Sequence, residues 1–213
     1  MDFNELTDHV IEGNASAAEA WTREALSQDI DPLVIVNQGL VPGMDIVGEK
    51  FKNEEYYMPD MLVSARAMKT SMALLRPLLA GREGASLGRV VIGTVKGDLH
   101  DIGKNLVGMM LEGAGFEIVD LGTDVEPDAF VSAVEENKAA ILCLSALLTT
   151  TMPMIKTTIE CLEDSKVRSQ VRVMVGGAPI TEAYASEIGA DGYAPEAATA
   201  VERAKDLLGI AAS

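Results

Sequence analysis

Apolar and polar positions alternate in two different rhythms along this chain, helical from residue 3 to residue 80 and strand-like in short buried runs after residue 88. In the first part, Ala15 to Ser27 is rich in alanine and glutamate, and Asp31-Pro32 reads as an N-cap followed by proline in the first helical turn. Pro59 can open a further helix. Beyond it Met61, Ala65, Met68, Met72, Leu75 and Leu79 recur at alternating spacings of four and three, which builds one apolar stripe. These signals predict a small all-α bundle. The stretch Gly81 to Gly88 has no periodicity and three glycines, so the boundary is placed there, with a helical domain over 1–87 and a second domain over 88–213.

In the second domain Arg89 to Thr94, Phe116 to Leu121, Ala140 to Ser145 and Val171 to Val175 read as buried strands separated by stretches of helical length. A weaker fifth strand is placed at Gly192 to Ala194. Strands joined by crossovers of this length imply a parallel sheet covered on both faces. The expected fold is α/β, a flavodoxin-like, Rossmann-type five-stranded sheet preceded by the helical bundle.

Composition narrows the partners. The 213 residues carry 33 acidic against 17 basic side chains, a formal charge of −16, which repels a phosphate backbone or an anionic membrane. Before Gly88 there are 7 basic against 14 acidic residues and after it 10 against 19, so neither domain offers a basic patch. Neither nucleic acid nor membrane is expected as a partner. The longest apolar stretch, Ala139 to Leu148, is about half the roughly 20 residues a membrane helix needs. Met1-Asp2-Phe3-Asn4-Glu5 lacks the positive start of a secretory signal, and a cytoplasmic protein is expected. Cys143 and Cys161 have no metal-site spacing and read as buried thiols.

Ligands of an open parallel sheet settle outside the carboxyl ends of its strands, where the strand order reverses. Three loops should meet there: Gly97 to Asn105 after the first strand, Ser145 to Thr151 after the third, and Gly176-Gly177-Ala178-Pro179 after the fourth. Of the two histidines, His9 and His100, only His100 falls on this edge. Asp98, two residues away, could take the ring N–H of a metal-bound imidazole, or it could cap the following helix and leave His100 merely exposed. Zinc fits poorly, because no second histidine is near and the cysteines are badly placed. A single histidine ligand suits a metal already held in a macrocycle. No dinucleotide or P-loop fingerprint occurs, and a phosphoacceptor domain of the same fold would need an aspartate where Ser145 stands. Gly176-Gly177 is read either as a tight turn or as a place for a flat ligand to approach the backbone.

Together, Asp98-x-His100-x-x-Gly103, then 41 residues to Ser145-x-Leu147, then 28 residues to Gly176-Gly177, resemble the signature of cobalamin-binding domains. The loop Val95 to Asn105, with Leu99, Asp101 and Ile102, is similar to that of cobalamin-dependent methionine synthase. Tyr57-Met58-Pro59 and Ser64-Ala65 are similar to that family's helical cap. The two modules together resemble the small corrinoid proteins of methanol, methylamine and aryl methyl ether (O-demethylase) methyl transfer.

The resemblance implies cobalamin or a related corrinoid, carried as methylcobalamin, with His100 as the lower axial ligand of cobalt and Asp98 holding its other nitrogen. Thr151 would complete the hydrogen-bonded chain; it stands where the family has a serine, keeping the hydroxyl and adding a methyl group. Leu99, Asp101, Ile102 and Gly103 would belong to the cofactor loop, and Ser145 and Leu147 would line the slot of the nucleotide tail. Gly176 and Gly177 would let that tail pass, Thr149 would meet the corrin edge, and Tyr57, Met61 and Ala65 would cover its upper face. The implied activity is that of a non-autonomous methyltransferase subunit. By that resemblance a nucleophilic Co(I) would take up a methyl group from one methyltransferase, and the methyl-Co(III) would deliver it through a second to tetrahydrofolate or coenzyme M. A reductive activating protein would restore Co(I). Two other readings stay open: a cobalamin-binding sensor, and a small hydrolase with a metal on Asp98, His100 and Asp101.

Overall fold

The stripe from Met61 to Leu79 becomes one face of α5 (Met58–Leu79) in the computed structural model, which describes residues 1–79 and 86–210. Most of the stretch expected as a linker, Gly81 to Gly88, lies outside the described residues. The chain divides into two compact units, Met1–Leu87 with Glu112–Gly115, and Gly88–Leu111 with Phe116–Ser213.

The first unit also contains α1 (Phe3–Ile11), α2 (Ala15–Ser27), α3 (Pro32–Ile35) and α4 (Val41–Lys52). Asp31 caps α3 by accepting the Leu33 N–H at 2.8 Å, with Pro32 in the first turn, where a missing N–H costs nothing. Between α3 and α4 the backbone widens into a π turn over Val36–Leu40. Pro42 supplies a reason: it has no N–H to give and its ring crowds the preceding turn. All six stripe residues of α5 are buried, as are Ser64 and Ser71. Small residues there let helices approach closely, and the Ser64 hydroxyl donates to the Ile11 carbonyl at 3.1 Å. Of the three cap residues expected over a corrin, Met61 and Ala65 are buried with this stripe, and only Tyr57 presents an exposed side chain.

The second unit alternates β1 (Arg89–Thr94), α6 (Ile102–Gly113), β2 (Glu117–Asp120), α7 (Pro127–Asn137), β3 (Ile141–Ser145), α8 (Met152–Asp164), β4 (Arg172–Gly176), α9 (Glu182–Glu187), β5 (Gly192–Tyr193) and α10 (Ala197–Leu207). All strand pairs are parallel in the order β2-β1-β3-β4-β5, the flavodoxin-like arrangement. β1 and β3 are buried along almost their whole length because helices cover both faces, whereas the edge strand β2 is half-buried. Phe130, Leu142, Leu144, Ile155 and Val173 fill the core. The chain leaves β1 toward β2 on one side and reaches β3 on the other, so a crevice opens at the carboxyl ends of β1 and β3. Register places Thr94 beside Ser145 and Ser145 beside Gly176, which brings the three loops named from sequence to one edge. Among the described residues no helix is long and apolar enough to cross a membrane.

Candidate functional site

Beyond β1 the chain turns at Gly97 and buries the Asp98 carboxylate completely. One of its oxygens accepts the His100 ring Nδ1–H at 2.7 Å and the His100 backbone N–H at 3.1 Å. The other accepts the Leu147 N–H at 2.7 Å, the Leu148 N–H at 3.3 Å and the Thr151 hydroxyl at 2.7 Å. A buried charge is tolerated only when its oxygens are satisfied, and here donors from two loops satisfy them. The carboxylate therefore does not cap α6, which begins later at Ile102. It ties the loop after β1 to the loop after β3.

Burial alone would raise the pKa of Asp98, but the hydrogen bonds from Thr151, Leu147 and His100 outweigh it and hold the carboxyl well below its ordinary range. The sign follows. Because the folded group holds its proton less tightly than the unfolded one, the stabilisation is present above about pH 4 and is lost as pH falls toward the folded value. Urea unfolding should therefore show the parent losing stability with acid more steeply than Asp98→Asn below about pH 4, by up to about 1.4 kcal/mol per pH unit. Parallel curves would contradict this.

With Nδ1 given to Asp98, the proton of the neutral imidazole sits on Nδ1 and the lone pair is on Nε2. The His100 side chain is 51% exposed, so that nitrogen is accessible. Around it Leu99 and Ile102 are 73% and 71% exposed, and Leu147 and Leu148 are also exposed. Exposed aliphatic side chains clustered about one outward-facing imidazole form an apolar rim suited to a flat ligand. Gly103, in the first turn of α6, has nothing within 4 Å of where a Cβ would stand, so the space over the helix start is open. Asp101 precedes that helix and accepts from the Asn105 side chain at 3.1 Å. Lys104 is buried, its ammonium bonded to both Asp120 oxygens at 2.6 and 2.7 Å, which pins α6 to β2.

Thr151 keeps the hydrogen bond expected of a serine. Its extra methyl group lies over the turn, 3.7 Å from where a Cβ on Gly97 would be. Thr149 is exposed, and Ser145 ends β3 with its carbonyl accepting the Val95 N–H at 3.0 Å. At Gly177 the backbone has φ +128°, and a Cβ would stand 1.9 Å from the Ala146 carbonyl oxygen. A Cβ on Gly176 would be 3.1 Å from the Ala194 carbonyl oxygen. A side chain at Gly177 would therefore disturb the fold itself as well as any ligand passing it, because the close approach of the two backbones already requires glycine.

Two residues that hold this loop were not singled out from sequence. Thr94, fully buried at the end of β1, donates its hydroxyl to the His100 carbonyl at 2.9 Å. Asp124, in the loop after β2, accepts the Gly97 N–H at 2.8 Å, and its own N–H donates to the Asp98 carbonyl at 3.0 Å. The visible signals were a single hydroxyl closing an apolar strand and a carboxylate in a Gly-Thr-Asp turn. No group of three or more His, Cys, Asp or Glu positioned to hold a metal ion occurs among the described residues, so the hydrolase reading with Asp98, His100 and Asp101 gains no support.

Both domains are similar to known protein families. The B12 binding domain family matches residues 88–203, and a second B12 binding domain family matches residues 2–76. The chain is 43% identical over 210 residues to a corrinoid protein of Desulfitobacterium hafniense strain Y51, with 97% of each chain covered. It is 42% identical over 207 residues to the dimethylamine corrinoid protein of Methanosarcina barkeri, again with 97% of each covered. Among solved structures, it is similar to a chain of the methanol:cobalamin methyltransferase complex of Methanosarcina barkeri, with a TM-score of 0.87 at 27% identity, covering 97% of this chain and 79% of that one.

Proposed function

This chain belongs to the corrinoid proteins of the B12-binding family, and from that premise we propose that it carries a methyl group on a cobalamin-type cofactor between two methyltransferases. The observation that carries this reading is the buried Asp98 carboxylate, which fixes the His100 ring with Nε2 turned outward from the sheet edge. When bound, the corrinoid supplies a cobalt centre able to accept and release a methyl group.

The residues present fit such a group. His100 Nε2 would be the ligand to cobalt, and Asp98 would hold the Nδ1 proton in place. Thr151, Leu147 and Leu148 keep the carboxylate ionised and immobile, so the imidazole does not have to organise its own support. The Nε2 lone pair can be given to a metal or to a proton, but not to both. Leu99, Ile102, Leu147 and the open space over Gly103 would receive the macrocycle and its tail. Asp101, Ser145, Thr149, Gly176 and Gly177 line the same sheet edge. Of the three cap residues Tyr57, Met61 and Ala65 in the helical domain, residues 1–87, only Tyr57 has an exposed side chain to offer a corrin.

The dimethylamine and methanol proteins among its relatives support a methylamine- or methanol-specific methyltransferase as the donor-side partner. Tetrahydrofolate or coenzyme M would receive the methyl group through a second methyltransferase, and a reductive protein would reactivate the cofactor. The test is reconstitution. Apo-protein should take up hydroxocobalamin and, once reduced, should gain a methyl group from a methylamine or methanol only when the cognate methyltransferase is added. A protein that takes up no corrinoid, or that is methylated without a second protein, would overturn the reading.

A further inference from the structure

The carboxylate chain orients the His100 ring, but it leaves open what fixes the main chain that carries the ring. Thr94 answers part of this. It is the last residue of β1 and fully buried; its N–H donates to Gly122, its carbonyl accepts from Val125 and its hydroxyl reaches the His100 carbonyl at 2.9 Å. The hydroxyl therefore transmits the position of a central strand to the peptide of His100, six residues later. Asp124 holds the other flank of the loop. It sits at φ 56°, a left-handed conformation that aspartate adopts more readily than most residues. In that position its carboxylate accepts the Gly97 N–H, and it also pairs with Lys96. Unusual backbone torsion maintained beside a working loop points to a positional role.

We propose that Thr94 is a positioning residue for His100, with Asp124 bracing the opposite flank of the same loop, so that the ring is set before any cofactor arrives. The proposal rests on His100 being the residue that meets cobalt. It predicts that Thr94 acts through His100 and not on the cofactor directly, and a double-mutant cycle on hydroxocobalamin affinity reads that coupling. Thr94→Val keeps the shape and removes the hydroxyl. In the parent it should weaken binding about 2- to 10-fold, the loss of one neutral hydrogen bond. In a His100→Ala background it should cost nothing further, and Thr94→Ser should restore parental affinity. Asp124→Ala should behave like Thr94→Val, whereas Asp124→Asn, which keeps the acceptor and tolerates the backbone conformation, should bind like the parent. An equal loss from Thr94→Val in both backgrounds, or no loss in the parent, would overturn the proposal. If His100→Ala alone bound as tightly as the parent, the assignment of His100 would fall first and this proposal with it.

Discussion

Replacing Asp98 by alanine is expected to destabilise the apo-protein by about 3–5 kcal/mol, before any question of cofactor arises. The substitution strips the acceptor from two backbone N–H groups of the loop after β3, the Thr151 hydroxyl, and the ring and backbone N–H of His100. Each buried donor left without a partner costs about 1–3 kcal/mol, and the loop after β3 would lose its tie to the loop after β1. Asp98→Asn is expected to fall between the parent and alanine. Whichever way the amide turns, its NH₂ faces donors, either those of His100 or those of Leu147, Leu148 and Thr151. Chemical denaturation of the apo-proteins checks this, and an Asp98→Ala variant of parental stability would show that the carboxylate network does not hold the loops.

The second large effect is expected at Gly177. Gly177→Ala asks a Cβ to stand 1.9 Å from the Ala146 carbonyl oxygen, with the backbone at φ +128°. The atom in the way belongs to the main chain, so no side-chain rotation relieves the collision, and the ends of β3 and β4 must separate. Destabilisation of at least about 2–3 kcal/mol is expected, together with weakened corrinoid binding, because the peptide after Ala146 supplies the N–H that Asp98 accepts. Gly103→Ala is the matched control: its Cβ meets nothing within 4 Å, and stability should be nearly unchanged. Equal stability of the parent and Gly177→Ala in denaturant would contradict the close crossing.

Much of the fold was readable from sequence because the relevant signals are local. Buried β-branched runs such as Val90-Val91-Ile92 mark a central strand covered on both faces, and the observed strands fall within a residue or two of their expected positions. The helix over Ala15–Ser27 and the Asp31 cap are equally local. The pairing of Asp98 with His100 could be anticipated from a separation of two residues. Its other partners could not, since Leu147, Leu148 and Thr151 reach the carboxylate only after β1 and β3 have been laid side by side. The same holds for Gly177, whose constraint comes from a neighbouring strand end and not from its own loop. The α5 stripe was correctly legible as apolar, but which residue of its first turns stayed outside was not. Met61 starts the buried face, and Tyr57 lies clear of it.

The central claim is that His100 Nε2 is the protein's ligand to cobalt, and electron paramagnetic resonance of the Co(II) form measures it most directly. The protein contains only two histidines, His9 and His100, so selective labelling of histidine with nitrogen-15 is unambiguous once combined with a single variant. Reconstituted with cobalamin and reduced to Co(II), unlabelled protein should show each cobalt line split into a triplet by one axial nitrogen. The histidine-labelled protein should show doublets, His9→Gln should leave them unchanged, and His100→Ala should lose them. Triplets that persist in the labelled protein would mean that the nitrogen comes from the cofactor's own base, and the account of this site would be wrong.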